Sequence, residues 1–355
     1  MKKRVVSMEL LRIIAMMMVV MLHFLGKGKL LDSLTGEISV NGYVAWVLES
    51  FSIVAVNVYM LISGYFLVNS RFRISRVIEL ICQVLFYTIL VEVVLVGFGF
   101  VDKDVLTLNR LLEIVFPLQM EHYWFITAYI IMYLFSPILS TAVQHMEQKQ
   151  LRNTILLLLI FFSLSKSVLP VQLMIDRKGY DCIWFICVFL VAAYIRLYGL
   201  PFFEEGKYRG WMCYVAGILG IMAVTLVVRF IYLKTGSLDH FVGSAFHYNH
   251  IFNLLAAVGL FYEFLQMKIS TEGPAAKIVY RIAPYTLGVY LLHEQIDIRN
   301  LWPEWLGASG EGNVLLFVGR ALLAVLVVFC EGVLADMVRK ACFQLVTKRF
   351  VNDAK

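Results

Sequence analysis

The sequence predicts an all-α integral membrane protein: a bundle of about ten transmembrane helices with both termini cytoplasmic, forming a single domain over residues 1–355. Three observations carry that prediction. Hydrophobic residues make up 61% of the chain and charged residues 16%, where soluble domains hold about 45–50% apolar residues, and exchanging the 18 Tyr for the 23 Gly in the count barely moves the result. A mean hydropathy of +0.79 arises from apolar runs, each about 20 residues long, separated by short charged loops. Nineteen of the 31 Lys and Arg fall in the N-terminal segment and in every second loop, the bias that keeps basic loops on the cytoplasmic side.

Apolar runs bounded by charge and by Gly or Pro place helices near 7–25, 43–68, 77–98, 123–143, 152–170, 180–198, 210–233, 247–266, 283–298 and 314–335. The first run follows Lys2, Lys3 and Arg4 like a signal peptide. It carries Glu9 and Arg12 and lacks a small-residue cleavage site, so it is expected to be a retained span. The external segment 99–122 is partly amphipathic through Leu106, Leu108, Leu111, Leu112, Val115 and Phe116, and is expected to lie along the interface or fold back on the bundle. The six Cys show no CxxC spacing and read as packing residues, implying neither a disulfide framework nor a zinc site. A pI near 8.9 reflects membrane orientation rather than nucleic-acid binding, and the surrounding partners are membrane lipids. The pattern sets no oligomeric state.

Ionisable groups inside a bilayer cost at least about 2.5 kcal/mol each, so those that persist point to a polar cavity. In the first helix Arg12 and His23 are eleven residues apart. At about 100° per residue that is within about 20° of three full turns, so both project from one face, about 16 Å apart along the axis. Glu9, one turn before Arg12, can pair with it. The competing reading has Arg12 snorkel to the inner headgroups while His23 sits in the outer interface.

The stretch SMELLRIIAMMMVVMLHF, with Glu9, Arg12 and His23, resembles the first helix of the membrane-bound acyltransferase 3 family, in which an Arg and a His are separated by ten residues. NVYMLISGYFL (57–67, with Ser63 and Gly64), HYWFITAYIIMYLFSPIL (122–139) and PYTLGVYLLHE (284–294) are similar, in order, to later segments of that family. The resemblance implies a single transmembrane acyltransferase domain in the bacterial cytoplasmic membrane. It implies an enzyme that moves an acyl group, most often acetyl, from cytoplasmic acyl-CoA to a hydroxyl of an extracytoplasmic glycan or lipid-linked sugar, without a metal. On that reading His23 is the general base or a transient acyl carrier. Arg12 orders the site through Glu9 or holds part of the CoA, and Ser63 lies on the cofactor side.

Arg71, Arg73 and Arg76 would dock the CoA phosphates in bidentate fashion, although plain positive-inside topology also accounts for them. Where some family members carry RxxxR, this chain reads RFRISR. Toward the external ends of the predicted spans lie His122, Tyr123, Trp124, Tyr290, His293 and Glu294, candidates for lining an acceptor site, with Glu49, Glu92, Arg229 and Arg320 at similar depth. An interfacial aromatic belt is the alternative for the rings. In HFVGSAFHYNH, His247 and His250 would stand one helical turn apart, a metal-compatible spacing without a carboxylate, and interface histidines explain it as well. No phosphate loop, nucleophile elbow or HExxH motif is present. A transporter or flippase would also use intramembrane Arg, Glu and His, but no internal repeat accompanies them. A membrane glycan polymerase would be expected to carry a more highly charged external loop.

Overall fold

The computed structural model describes residues 5–100, 107–169 and 177–353, with side chains through residue 345. Lys2, Lys3, Arg4 and Leu106, and the end of the fifth predicted run at residue 170, lie outside the described residues. Every regular element among the described residues is helical, and the ten apolar runs each produce helix. The order is α1 (Val6–Lys27), α2 (Val40–Ser52), α3 (Ala55–Leu67), α4 (Ile74–Gly97), α5 (Leu108–Val115), α6 (Trp124–His145), α7 (Gln148–Leu159), α8 (Ser165–Val168), α9 (Cys182–Tyr198), α10 (Pro201–Glu204), α11 (Arg209–Thr235), α12 (Ile251–Gln266), α13 (Pro274–Ile282), α14 (Thr286–His293), α15 (Trp302–Trp305) and α16 (Val314–Asp353). A π-helical turn, Ile160–Leu164, joins α7 to α8.

Among the described residues, seven stretches are long and apolar enough to cross a membrane: Val6–Lys27, Val40–Leu67, Ile74–Gly97, Trp124–His145, Gln148–Val168, Arg209–Thr235 and Val314–Leu345. The remaining three runs give shorter helices. α9 has 17 residues and α12 has 16. The ninth run opens on a 3₁₀ turn at Ala283–Tyr285, directly after the unpredicted helix α13, and continues as α14, which ends at His293 rather than at residue 298. Pro284, inside the 3₁₀ turn, lacks the N–H that a continuous helix would need there. The second run is likewise two helices, because the α-helical ladder lapses at Ile53 and Val54.

The chain divides into two compact units, Met1–Leu30 with Lys268–Lys355, and Leu31–Met267. In the first, α1 packs on α13, α14 and α16, and α14 packs on α16. Glycine sets the α14–α16 approach: a Cβ on Gly288 would meet Asp336 Cβ at 2.3 Å, and one on Gly332 would meet Val289 Cα at 2.5 Å. Asp336 is fully buried there and accepts from Arg339 Nε at 2.5 Å, so the carboxylate enters the helix contact already paired.

In the second unit α3 packs on α9 and α12, α6 and α7 pack on α9, and α11 packs on α12. The segment after α4 folds back on that helix. Arg110 of α5, buried, grips Glu92 of α4 through Nη2 at 2.5 Å and Nε at 3.2 Å, and Thr88 Oγ1 donates to the Ile114 carbonyl at 3.0 Å. The interfacial expectation for 99–122 thereby resolves, over its described part, to packing against α4. At the centre of this unit Asn57 of α3 is wholly buried and fully bonded. Its Nδ2 donates to the Tyr248 carbonyl at 2.8 Å and to Asn253 Oδ1 at 3.2 Å, and its Oδ1 accepts from Trp184 Nε1 at 2.8 Å. One amide thus ties α3, α9, α12 and the loop before α12.

Asn57→Leu keeps the branching at Cγ and leaves the Trp184 N–H and the Tyr248 carbonyl without their partner. A loss of about 1–3 kcal/mol in stability is expected, read as a lowered unfolding temperature in detergent. An unchanged midpoint would show that the network contributes nothing.

Candidate functional site

α1 is continuous from Val6 to Lys27, so the spacing of Arg12 and His23 acts as the sequence predicts, placing them on one face. Arg12 Nη1 donates to Glu9 Oε1 at 2.9 Å, and Glu9 is buried. Near the other end of α1, His23 meets the end of α14. The His23 side chain is 20% exposed and Glu294 is 6% exposed, so this is an almost closed group with a narrow access.

The hydrogen-bond partners assign the tautomers. His293 Nδ1 lies 2.5 Å from the Val289 carbonyl, which can only accept, so Nδ1 carries the proton and Nε2 of the neutral ring carries a lone pair. His23 Nδ1 is 2.8 Å from that Nε2 and therefore donates to it. The same Nδ1 is 3.2 Å from Glu294 Oε1, a charge contact rather than a second hydrogen bond. His23 Nε2 is then the nitrogen with a free lone pair, the atom a general base needs. Lys27, one turn after His23, places Nζ 3.2 Å from Glu294 Oε1 and balances the carboxylate. Tyr290 and Trp302, both buried, close the group, with ring centroids 6.4 Å from His23 and 5.8 Å from His293 respectively.

The structure therefore brings together His23, Tyr290, His293 and Glu294, and pairs Glu9 with Arg12, all within the first unit. Sequence reading missed Lys27. Lys27 was accessible, since its spacing of four residues puts it on the His23 face. Trp302, which the sequence places in an interfacial aromatic belt, instead packs on His293. A cavity of about 120 Å³ opens beside His293, with walls that include Val289, Leu292, Leu306 and Val328.

One nitrogen from His23, one from His293 and one oxygen from Glu294 lie within 4.8 Å of one another, a set that could ligate a metal. Charge argues for the hydrogen-bonded relay instead. Lys27 already neutralises Glu294, and both Lys27 and Arg299 act on His23 electrostatically, so a divalent ion would enter among cations.

The other predicted residues belong to the second unit. Arg71, Arg73 and Arg76 are exposed in the α3–α4 turn. Tyr133 of α6 anchors that turn: the Arg73 N–H donates to its hydroxyl at 3.1 Å, Phe72 stacks on its ring at 5.1 Å, and the Arg76 guanidinium lies 5.7 Å from the ring centre. Ser63 is half-buried beside Gly64, where a Cβ would meet Ala192 Cβ at 2.9 Å, so the Ser-Gly pair also serves the α3–α9 contact. Tyr123 is buried, while His122 and Trp124 are half-buried. His247 and His250 do not share a helical turn, because α12 begins at Ile251, and His250 instead caps that helix, its Nδ1 accepting from the Phe252 N–H at 3.4 Å.

No curated protein and no solved structure matches the chain. The model of one protein family, described as an acyltransferase domain, matches residues 5–333. That match spans both units and takes in the His23 group together with the arginine turn, and the chain belongs to the acyltransferase 3 family.

Proposed function

We propose that this protein crosses the bacterial cytoplasmic membrane ten times with both termini inside, and transfers an acyl group, acetyl in the first instance, from acyl-CoA to a hydroxyl of an extracytoplasmic or lipid-linked glycan. The carrying observation is the tautomer assignment that leaves His23 Nε2 with a lone pair while its Nδ1–H is held by His293, with Glu294 Oε1 3.2 Å away as a charge contact. Seven long apolar stretches support this reading, and counting the shorter α9, α12 and the α13–α14 pair as passes would bring the total to ten, an even number that would return the chain to its starting side.

In the proposed reaction His23 Nε2 takes the proton of the acceptor hydroxyl as its oxygen attacks the thioester carbonyl. A C–O bond forms, the C–S bond breaks, and the CoA sulfur leaves with the proton returned by His23. Glu294 stabilises the imidazolium formed in between, and His293 fixes the ring. Arg71, Arg73 and Arg76 are assigned the CoA phosphates, for which exposed guanidinium groups on a rigid turn are suited. Arg12 with Glu9 is assigned the ordering of the cytoplasmic half of α1, and Ser63 the cofactor side. The small cavity beside His293, lined mainly by apolar side chains with Glu331 in its wall, suits a short acyl group.

His23→Ala is expected to lower kcat by about 10²–10⁴-fold in protein that still folds, measured with radiolabelled acetyl-CoA in nanodiscs. Retained activity removes His23 from the chemistry. Covalent label on His23 in the absence of acceptor would replace the general-base role with that of acyl carrier.

Incubation with a strong chelator is expected to leave the rate unchanged. Loss of activity that zinc restores would overturn the relay and make His23, His293 and Glu294 metal ligands.

A further inference from the structure

The second unit contains a cavity of about 260 Å³ where α6 and α9 begin. One wall is aromatic. Trp124 and Tyr180 line it, with ring centroids 4.5 Å apart, and Tyr248 packs behind both, 5.7 Å from Trp124 in a stacked arrangement and 4.6 Å from Tyr180. The lining also carries charge. Arg177 donates to both oxygens of Glu121, at 2.9 and 2.7 Å, and Asp181 lies beside this fork with Oδ1 accepting from the Trp184 N–H at 2.9 Å.

We propose that this cavity binds a neutral saccharide, with the flat C–H face of a sugar ring on Trp124 and Tyr180 and its hydroxyls at the Glu121–Arg177 fork and Asp181. The proposal deepens the acceptor side of the function proposed above and rests on that reading for the claim that the bound sugar is the acceptor. Each half of the site matches one half of a pyranose. Ring faces are negative and attract the weakly positive hydrogens of C–H bonds, while a carboxylate and a guanidinium side by side offer acceptors and donors to neighbouring hydroxyls. Glu121 and Arg177 cancel, and Asp181 is coupled electrostatically to Lys166, so the charges around the cavity largely offset one another, as a neutral ligand requires. At about 10–15 Å³ per water-sized sphere, the volume accommodates a sugar ring and part of a second.

The site is held in shape before any ligand arrives. The Tyr248 carbonyl is fixed by Asn57, and its N–H donates to the Lys178 carbonyl at 3.1 Å. Gly179, at φ +83°, brings the loop so close that a Cβ would meet Tyr248 Cβ at 2.8 Å. An interfacial belt ring needs none of this. The hydrogen bond from Arg177 also holds the Glu121 carboxyl below its ordinary pKa, so the fork persists from neutral pH into mild acid.

Cys182, half-buried on the cavity wall, provides the readout. Full-length protein in nanodiscs, with Cys182 as its only cysteine, is treated with a maleimide in the presence of methyl glycosides of glucose, galactose, mannose and N-acetylglucosamine, and separately of choline. At least one glycoside is expected to protect Cys182 saturably. Trp124→Ala, and Ile183→Trp, which fills the cavity from a position 37% exposed, should each weaken protection about tenfold or more. With the acceptor of the transfer reaction, both should raise the acceptor KM. Absence of protection by any glycoside, protection that survives in Ile183→Trp, or protection by choline alone overturns the site, whatever the transferase activity. Glycoside protection in wild-type protein that transfers no acyl group would support the saccharide site and instead overturn the proposed reaction.

Discussion

The hydrogen bond from His293 Nδ1 to the Val289 carbonyl decides the chemistry available to the first unit. Because a backbone carbonyl can only accept, this single contact assigns the proton on His293, and through it the proton on His23. Had Nδ1 of His293 faced water, either tautomer of either ring would be open and His23 could present an N–H in place of a lone pair. The carbonyl belongs to the residue four positions earlier on α14, so the constraint is built into the helix itself and costs no separate element. It depends on α14 reaching α1 at the correct depth, which in turn depends on Gly288 and Gly332 admitting α16.

Polar groups buried in an apolar protein carry a large penalty unless paired, and each unit meets that requirement in a different way. The first uses ions: Glu9 with Arg12, Glu294 with Lys27, Asp336 with Arg339. Most of these pairs are three residues apart on one helix, so they form with the helix and need little from the rest of the chain. Glu294 is the exception, since its partners His23 and Lys27 come from the opposite end of the sequence. The second unit has Arg110 on Glu92, but its centre is uncharged, an asparagine bonded to an indole, a carbonyl and another amide. A neutral network escapes most of the desolvation cost that ions incur. It suits a scaffold, where the ionised group around His23 suits proton transfer.

This difference explains what could be read from the sequence. The helices were legible because apolar runs of membrane length leave few alternatives. Their interruptions were less so: the lapse at Ile53 and Val54 lies in an apolar stretch free of Gly and Pro, and only Pro284 marks the 3₁₀ turn between α13 and α14. Glu9, Arg12 and His23 could be placed on one face because helical spacing is local arithmetic. Asn57 passed unnoticed inside NVYMLISG, as its partners Trp184 and Tyr248 lie 127 and 191 residues away. His293 could be suspected from its segment, but its contact with His23 bridges 270 residues and no spacing rule reaches that far.

Lys27 shows how a residue can be locally legible and still be missed. It closes α1, where a basic side chain is favoured by the helix dipole and by the headgroups alike, and either role accounts for it fully. Only the position of Glu294 reveals a third role. Lys27 Nζ stands 3.2 Å from Glu294 Oε1, so the carboxylate beside His23 has a cation at hand, and an imidazolium formed in the proposed proton transfer would find a counter-charge in place. The lysine thus acts on the base through the carboxylate, so the working group is a set of four side chains, of which the helical spacing of Arg12 and His23 announces one.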